Sequence, residues 1–288
     1  MTSKLKAIVS AFNFTLQYQS TRMKKPVLLV VTILLSITLF AQRVSIQPSI
    51  LDFHLGPKGV QAQPITITNL SDQKIAFQAY LADWLRDSTG SHQYFRPDTL
   101  KQSCASWVHL NKNFIEIEPG KTGELLVQLQ APADTSGFRQ MKWAMLFLQS
   151  TDEQDAASRA NKQVQTQIKE LLRIGIHIYQ TPPFLNKYQA KALSLQPLPA
   201  EKNSYEMTMQ NTGEVMLQCK AYMELTNVAD GKEFKLDKIE FPVFPDGVRR
   251  VRFDMPATVP AGKYSALAIL DIGEEMPLEA IEKTIEIK

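Results

Sequence analysis

Two stretches of this sequence match each other in order and spacing, although they lie far apart in the chain. Asn69–Leu81 aligns with Asn211–Met223 without a gap, with the Asn and an Ala-Tyr pair at the same offsets. A second pair follows in the same order, since Pro132–Gly137 resembles Pro256–Gly262 and each precedes a long apolar segment. The separation of the copies is too long for a solenoid repeat. The duplication therefore predicts two domains of one fold.

The segments between the turns have the pattern of β-strands. In Pro64–Thr68, apolar and polar residues alternate with a period of two, which is typical of a strand with one buried face. Turn residues such as Pro57–Gly59 and Glu118–Gly120 separate short strands of this kind. With about seven such strands per domain, the spacing favours an all-β chain of two tandem immunoglobulin-like β-sandwiches.

Residues 1–42 have the layout of a leader with a signal peptide. Met23–Lys25 begins a basic region, Pro26–Phe40 is an apolar run of 15 residues, and the small residue Ala41 precedes Gln42. The run is shorter than the ~20 residues that a membrane-spanning helix needs. We expect translation to start at Met23 and cleavage to follow Ala41 or Gln42; a retained anchor is the alternative.

The rest of the chain divides at a proline pair. We expect a first domain over residues 43–180, a linker over 181–186 that contains Pro182-Pro183, and a second domain over 187–288. The polar segment 151–167, between two apolar strands of the first domain, predicts a mobile hairpin loop.

The charge balance gives no sign of a nucleic-acid surface. Removal of the leader takes away five of the 32 basic residues and none of the 29 acidic ones, so the net charge falls from +3 to about −2. The basic character of the whole chain therefore belongs to the leader, and we expect no nucleic-acid partner.

The sequence offers no catalytic, cofactor-binding or metal site. It has no nucleophile motif and no phosphate-binding glycine loop, and its four histidines are not at metal-ligand spacings. Asp83, Asp87 and Asp98 are expected in a solvated loop. Cys104 and Cys219 fall in different domains and are expected as buried free thiols, with a disulfide as the alternative. We therefore expect a protein that is not an enzyme and needs no cofactor or metal.

Several segments together resemble immunoglobulin-like modules of the bacterial envelope. The first segment, Ser106–Val108, is an aromatic strand. It is followed by a short apolar strand that ends in Pro-Gly, at Phe114–Gly120, and by an alternating strand that ends in Pro, at Leu125–Pro132. This layout resembles the first domains of periplasmic pilus-assembly chaperones and of WxL-interacting surface proteins. Arg173–Tyr179 followed by Pro182 is similar to the last strand of the first domain in those chaperones.

The resemblance implies an exported, non-enzymatic, chaperone-like protein that binds surface or pilus subunits in the periplasm or cell envelope, with no membrane span after cleavage. Those chaperones anchor a subunit's terminal carboxylate with an Arg on the first strand and a Lys on the last strand of domain 1. The last-strand position here is Gly175, and Ile46–Ile50 contains no Arg although Arg43 is nearby, so we carry that role over to no residue. The alternative function is a structural or adhesive envelope module that binds another surface protein or a wall polymer.

The strand over residues 168–178 is the candidate partner-binding element. Leu172, Ile174, Ile176 and Ile178 form a period-two apolar row. In a donor-strand mechanism, such a row fills the groove of an incomplete partner sandwich, while backbone hydrogen bonds add affinity. The alternative is that the row packs into the core of its own domain, as the inner face of a strand commonly does.

Overall fold

The computed structural model describes residues 43–151, 171–273 and 276–288, which form an all-β protein. Its strands in the described residues are β1 (Val44–Gln47), β2 (Ile50–Phe53), β3 (Val60–Asn69), β4 (Ile75–Arg86), β5 (His92–Phe95), β6 (Val108–Leu110), β7 (Phe114–Ile117), β8 (Thr122–Gln130), β9 (Lys142–Ser150), β10 (Arg173–Gln180), β11 (Ala190–Pro197), β12 (Ser204–Asn211), β13 (Leu217–Asn227), β14 (Glu233–Lys235), β15 (Ile239–Val243), β16 (Val248–Asp254), β17 (Gly262–Asp271) and β18 (Glu279–Ile287). The prediction of an all-β fold with two tandem immunoglobulin-like sandwiches is confirmed.

Strands β1 to β10 form the two sheets of the first sandwich. Sheet I has the strand order β1-β3-β8-β6. Sheet II has the order β2-β10-β9-β4-β5, and β7 and β5 pair with successive parts of β4. Strand β10 therefore lies between β9 and β2, and this position decides which part of its backbone is free for other partners.

Strands β11 to β18 repeat the same plan in the second sandwich. Sheet III has the order β11-β12-β16, and sheet IV has the order β14-β13-β17-β18 with β15 also paired to β13. The pair β12-β16 corresponds to β3-β8, and the row β13-β17-β18 corresponds to β4-β9-β10. Strands β15 and β14 pair with successive parts of β13, as β7 and β5 do with β4. The matching order is the structural counterpart of the duplicated sequence.

Asn69, the first residue of the sequence repeat, ends β3 and is fully buried. Its amide nitrogen Nδ2 donates to the carbonyl oxygens of Gln73 (2.7 Å) and Ile117 (3.0 Å). Its oxygen Oδ1 accepts from the backbone N–H of Ser71 (2.9 Å) and from the Ser71 hydroxyl (2.7 Å). One side chain thus closes the β3–β4 turn and fastens it to the end of β7.

Asn211 does the same at the matching corner of the second sandwich. It ends β12, is fully buried, and donates from Nδ2 to the carbonyl oxygens of Val215 and Val243, at 2.9 Å each. Its Oδ1 accepts from the N–H of Gly213 at 2.8 Å. At both corners, the Asn side chain donates to the carbonyl of the residue four positions later and accepts from the N–H of the residue two positions later. The repeat therefore encodes a shared turn in which the Asn side chain pairs backbone groups that would otherwise be unsatisfied.

The cores follow from the alternation of the strands. Along β8, Leu125, Val127 and Leu129 are fully buried, while the residues between them are partly exposed. The core of the second sandwich is drawn wholly from residues between 190 and 287 and includes Leu217, Cys219 and Tyr264. Each sandwich therefore buries an apolar interior of its own, the main favourable contribution to its folding.

Asp83 departs from the sequence-based expectation. It lies inside β4 and is 1% exposed, so its assignment to a solvated loop is wrong. Its carboxylate accepts from the backbone N–H groups of Thr99 and Leu100, at 2.8 Å each, and from the Ser103 hydroxyl at 2.6 Å. These donors compensate the burial of the charge and fix the segment that follows β5.

Both cysteines are buried free thiols. Burial raises the pKa of the Cys219 thiol to about 12 and also raises that of Cys104. Residues 181–189 connect β10 to β11, and within them the Leu185 N–H donates to the Pro182 carbonyl at 3.1 Å.

The expected signal peptide and most of the expected loop at 151–167 lie outside the described residues. Within the described part of the chain, no helix has the length and apolarity to cross a membrane.

Candidate functional site: the open edge of strand β10 and the aromatic face beside it

Strand β10 is paired on both sides over only half of its length. Its whole length, from Arg173 to Gln180, is antiparallel to β9 without a register shift. On the other side, β2 pairs in parallel only with His177 to Gln180. Within the described ranges, no strand pairs with the β2 side of residues 173–176. Among the strands that the structure describes, that half of β10 is therefore an open edge.

The hydrogen bonds of β10 show which backbone groups face this edge. The His177 N–H donates to the Ser49 carbonyl (3.0 Å) and the Thr181 N–H to the Phe53 carbonyl (2.9 Å), so odd-numbered residues point their backbone groups toward β2. Even-numbered residues point toward β9, as the bond from the Ser150 N–H to the Leu172 carbonyl (2.8 Å) shows. The N–H and C=O groups of Arg173 and Gly175 therefore point out of the open edge.

The edge is open because the first strand of the chain changes sheets. Residues 44–47 form β1 in sheet I, whereas residues 50–53 form β2 in sheet II. Pro48 lies at the change and has no N–H to donate to either ladder. Strand β2 therefore reaches β10 only from His177 onward.

The four residues predicted for partner binding differ in their exposure to solvent. Ile176 and Ile178 are fully buried in the first sandwich. Ile174 is partly buried, and Leu172 is 45% exposed next to Leu171, which is 57% exposed. The first two therefore stabilise the position of β10 itself, and only the Leu172 end of the row is accessible to another chain.

The opposite face of β10 carries Arg173, Gly175, His177 and Tyr179. The guanidinium carbon of Arg173 lies 4.6 Å from the ring centre of Phe147, within the range of a cation–π contact. A Cβ added to Gly175 would lie 2.9 Å from Sδ of Met145, so a side chain at this position would require Met145 to move.

An aromatic cluster lies on this face where the two sandwiches meet. It consists of Trp84, His92, Trp143, His177, Tyr179 and Phe244, and Phe244 comes from the second sandwich. The ring centre of Trp84 is 4.9 Å from that of His92, 4.8 Å from that of His177 and 4.9 Å from that of Phe244. Trp84 is fully buried. Trp143 donates from Nε1 to the Trp84 carbonyl at 2.8 Å, which ties β9 to β4 within the cluster.

The histidines of this aromatic cluster are held neutral. The pKa of His177 is lowered to about 4. The main cause is burial, and the positive charges of protonated His92 and of Arg86 add to it. Burial and then Arg86 also lower the pKa of His92. Burial raises the pKa of the Tyr179 hydroxyl to about 12. At neutral pH the aromatic cluster therefore presents uncharged rings to the second sandwich.

Sequence inspection missed the aromatic cluster because its members lie far apart in the chain. In the sequence, Trp84 only follows Asp83, and the four histidines are scattered along the chain. His177 could be placed on the face opposite Ile176 by alternation, but its contact with Trp84 depends on strand pairing that alternation does not specify. Across the described residues, no group of three or more His, Cys, Asp or Glu side chains is arranged to hold a metal ion.

Comparisons with known proteins identify similar folds. No family model and no curated protein matches the sequence. Similar solved structures include the class 5 fimbriae chaperone CfaA, at 10% identity and a TM-score of 0.46, covering 84% of this chain and 98% of that one. The CsuC–CsuE chaperone–tip subunit pre-assembly complex of Acinetobacter baumannii gives 12% identity and a TM-score of 0.47, covering 85% and 98%. The CupB2 chaperone of Pseudomonas aeruginosa gives 14% and 0.40, covering 84% and 100%.

Proposed function

We propose that this protein is an exported, non-enzymatic, chaperone-like protein of the periplasm or cell envelope that holds a surface or pilus subunit. The observation that carries the proposal is the open edge of β10 over residues 173–176, next to exposed Leu171 and Leu172. An unpaired strand edge is a template for another chain, and folded proteins commonly cover or shorten such edges.

An extended segment of a partner can bind here by adding a strand to sheet II. The N–H and C=O groups of Arg173 and Gly175 would supply the main-chain hydrogen bonds, and the side chain of Leu172 would supply apolar contact. Strand β10 is already held by β9 along its full length and by buried Ile176 and Ile178. The binding edge is therefore preorganised, which lowers the entropic cost of association.

The partner-binding assignment of Leu172, Ile174, Ile176 and Ile178 remains part of this proposal, with two roles. Leu172 and Ile174 would face the captured segment, whereas Ile176 and Ile178 would hold the edge in place. The domain limits at 43–180 and 187–288 are proposed with it, since the core of the second sandwich contains no residue of the first.

The test is a matched pair of substitutions at one position. Arg173→Pro removes the N–H that points out of the edge, at the first residue of a strand, where proline is tolerated. Arg173→Ala removes the same side chain and its cation–π contact but keeps the N–H. Each tagged variant is expressed in the native organism and recovered from the envelope, and captured proteins are identified by mass spectrometry.

Capture of a subunit by the wild type and by Arg173→Ala, with loss in a folded Arg173→Pro, is the expected result. Equal capture by all three proteins would contradict strand addition at this edge. It would favour the alternative of an adhesive or structural envelope module that binds through another surface.

A further inference from the structure

Two arginines, one from each sandwich, meet at a single glycine. Arg86 ends β4, and its Nη1 donates to the Gly90 carbonyl at 3.0 Å. The guanidinium of Arg249, from β16, occupies the space that a side chain at position 90 would need. Gly90 has a φ of +94°, a conformation that favours glycine, so the turn accommodates both cations without a Cβ.

The polar groups of these two arginines are buried but largely unused. Nε of Arg86, and Nε and Nη1 of Arg249, have almost no solvent contact and no hydrogen-bond partner among the residues that the structure describes. Neither arginine makes a salt bridge within the described residues. Buried N–H donors without an acceptor are costly and rare in folded proteins.

The nearby carboxylates are committed elsewhere. Asp87 accepts through Oδ1 from the N–H groups of Thr89 (2.8 Å) and Ser91 (3.1 Å) and from the Thr89 hydroxyl (2.6 Å). Asp246 lies 2.9 Å from the Lys101 ammonium. Burial and then the charge of Arg86 lower the pKa of Arg249, and Asp87 only partly opposes this. The two guanidinium groups therefore lack a bound counter-charge.

A cavity of about 270 Å³ lies between the sandwiches at this place. Its lining includes Arg86 and Arg249 together with Gln102 and Gly247, and it also includes Asp87 and Asp246, whose carboxylates make the contacts given above. The backbone next to it is fixed, because the Arg250 N–H donates to the Ser88 carbonyl at 2.8 Å and the Arg250 side chain donates to the Ser88 hydroxyl at 3.0 Å. We propose that Arg86 and Arg249 form a binding site for a small oxyanion, a phosphate, sulfate or carboxylate group, which bridges the two sandwiches.

The chemistry of the donors selects this ligand class. A guanidinium presents its N–H groups as a planar fork that matches two oxygens on one centre, and hydrogen bonds between charged groups are stronger than neutral ones. An oxyanion between the two arginines would accept hydrogen bonds from their guanidinium groups and offset the repulsion between the cations. Because one fork belongs to each sandwich, binding would also stabilise their mutual arrangement.

The test uses inorganic phosphate and acetate as probes, with sodium chloride at equal ionic strength as the control. Isothermal titration of the full-length mature protein should show saturable binding of at least one probe, and its apparent Tm should rise with that probe but not with chloride. Arg86→Gln and Arg249→Gln should each weaken binding about tenfold or more, the loss expected for one charge-assisted pair. Arg252→Gln, a matched change to an arginine already paired with Asp254 and Glu201, should leave binding unchanged.

Absence of saturable binding by both probes, or binding that survives in folded Arg86→Gln and Arg249→Gln, would overturn the proposal. A response to acetate alone would identify a carboxylate as the ligand, and a response to phosphate alone would identify a phosphate-type anion.

Discussion

Replacing Asn69 with alanine should destabilise the first sandwich far more than its small change in volume suggests. The substitution removes two donated hydrogen bonds, of 2.7 and 3.0 Å, and an acceptor for the Ser71 N–H and hydroxyl. It also removes the Asn69 donor from the Ile117 carbonyl, and this contact is out of reach of water because Asn69 is fully buried. With about 1 kcal/mol net for each of the two donated bonds and about 1–3 kcal/mol for the stranded Ile117 carbonyl, we expect a loss of at least about 3–5 kcal/mol.

Tryptophan fluorescence during urea unfolding can measure this loss, because all three tryptophans lie between residues 84 and 143. A loss of this size is a large part of the ~5–15 kcal/mol stability of a typical domain and should lower the urea midpoint by about 2 M. Asn111→Ala is the control, since Asn111 is exposed and its side chain accepts one bond, from the Leu126 N–H at 3.0 Å. If Asn69→Ala costs no more than Asn111→Ala, the corner role of Asn69 is refuted.

Three further predictions follow from burial and charge. Ile176→Asp places a charge at a fully buried site and should unfold the first sandwich. Leu172→Asp changes a side chain that is 45% exposed and should leave the circular-dichroism melt nearly unchanged. Equal melting curves for the two variants would contradict the placement of β10. The neutral form of His177 is favoured in the folded state, so its contribution to stability is complete above the ordinary pKa of 6.5 and is lost as the pH falls toward about 4. His177→Gln should therefore flatten the pH dependence of Tm between about pH 4 and 6.5. An unchanged Tm profile would show that His177 does not cause this dependence. Residues 187–288 expressed alone should unfold cooperatively, although Phe244 would be exposed to solvent because the first sandwich is missing. A non-cooperative melt would show that the core of the second sandwich depends on the first.

The sequence predicted the fold because its two main signals are local. Period-two alternation and the turn residues specify strands, and the duplication around Asn69 and Asn211 specifies that one arrangement occurs twice. The shared role of the two asparagines was within reach of sequence reasoning, since an Asn at the same offset in both copies already marks a turn that needs a side-chain amide. Asp83 was misplaced because its acceptor role depends on Thr99 and Leu100, whose position no local pattern encodes.

The candidate site was only half predictable for the same reason. The apolar row from Leu172 to Ile178 is visible in the sequence, but whether it faces a core or a partner depends on where β2 begins to pair with β10. That point is set by the change of sheets at Pro48, a tertiary feature. The aromatic cluster around Trp84 and the arginine pair at Gly90 likewise depend on strand register and on contacts between the two sandwiches.

Hydrogen exchange at individual amides of β10 tests the central claim most directly. In the free protein, the N–H of Gly175 should exchange quickly because it points out of the open edge, whereas the N–H groups of Ile174 and Ile176, bonded to β9, should exchange slowly. In the complex with a captured subunit, the Gly175 amide should become as slow as its neighbours. A Gly175 amide that is already protected in the free protein, or one that exchanges equally fast in the complex, would contradict strand addition at this edge.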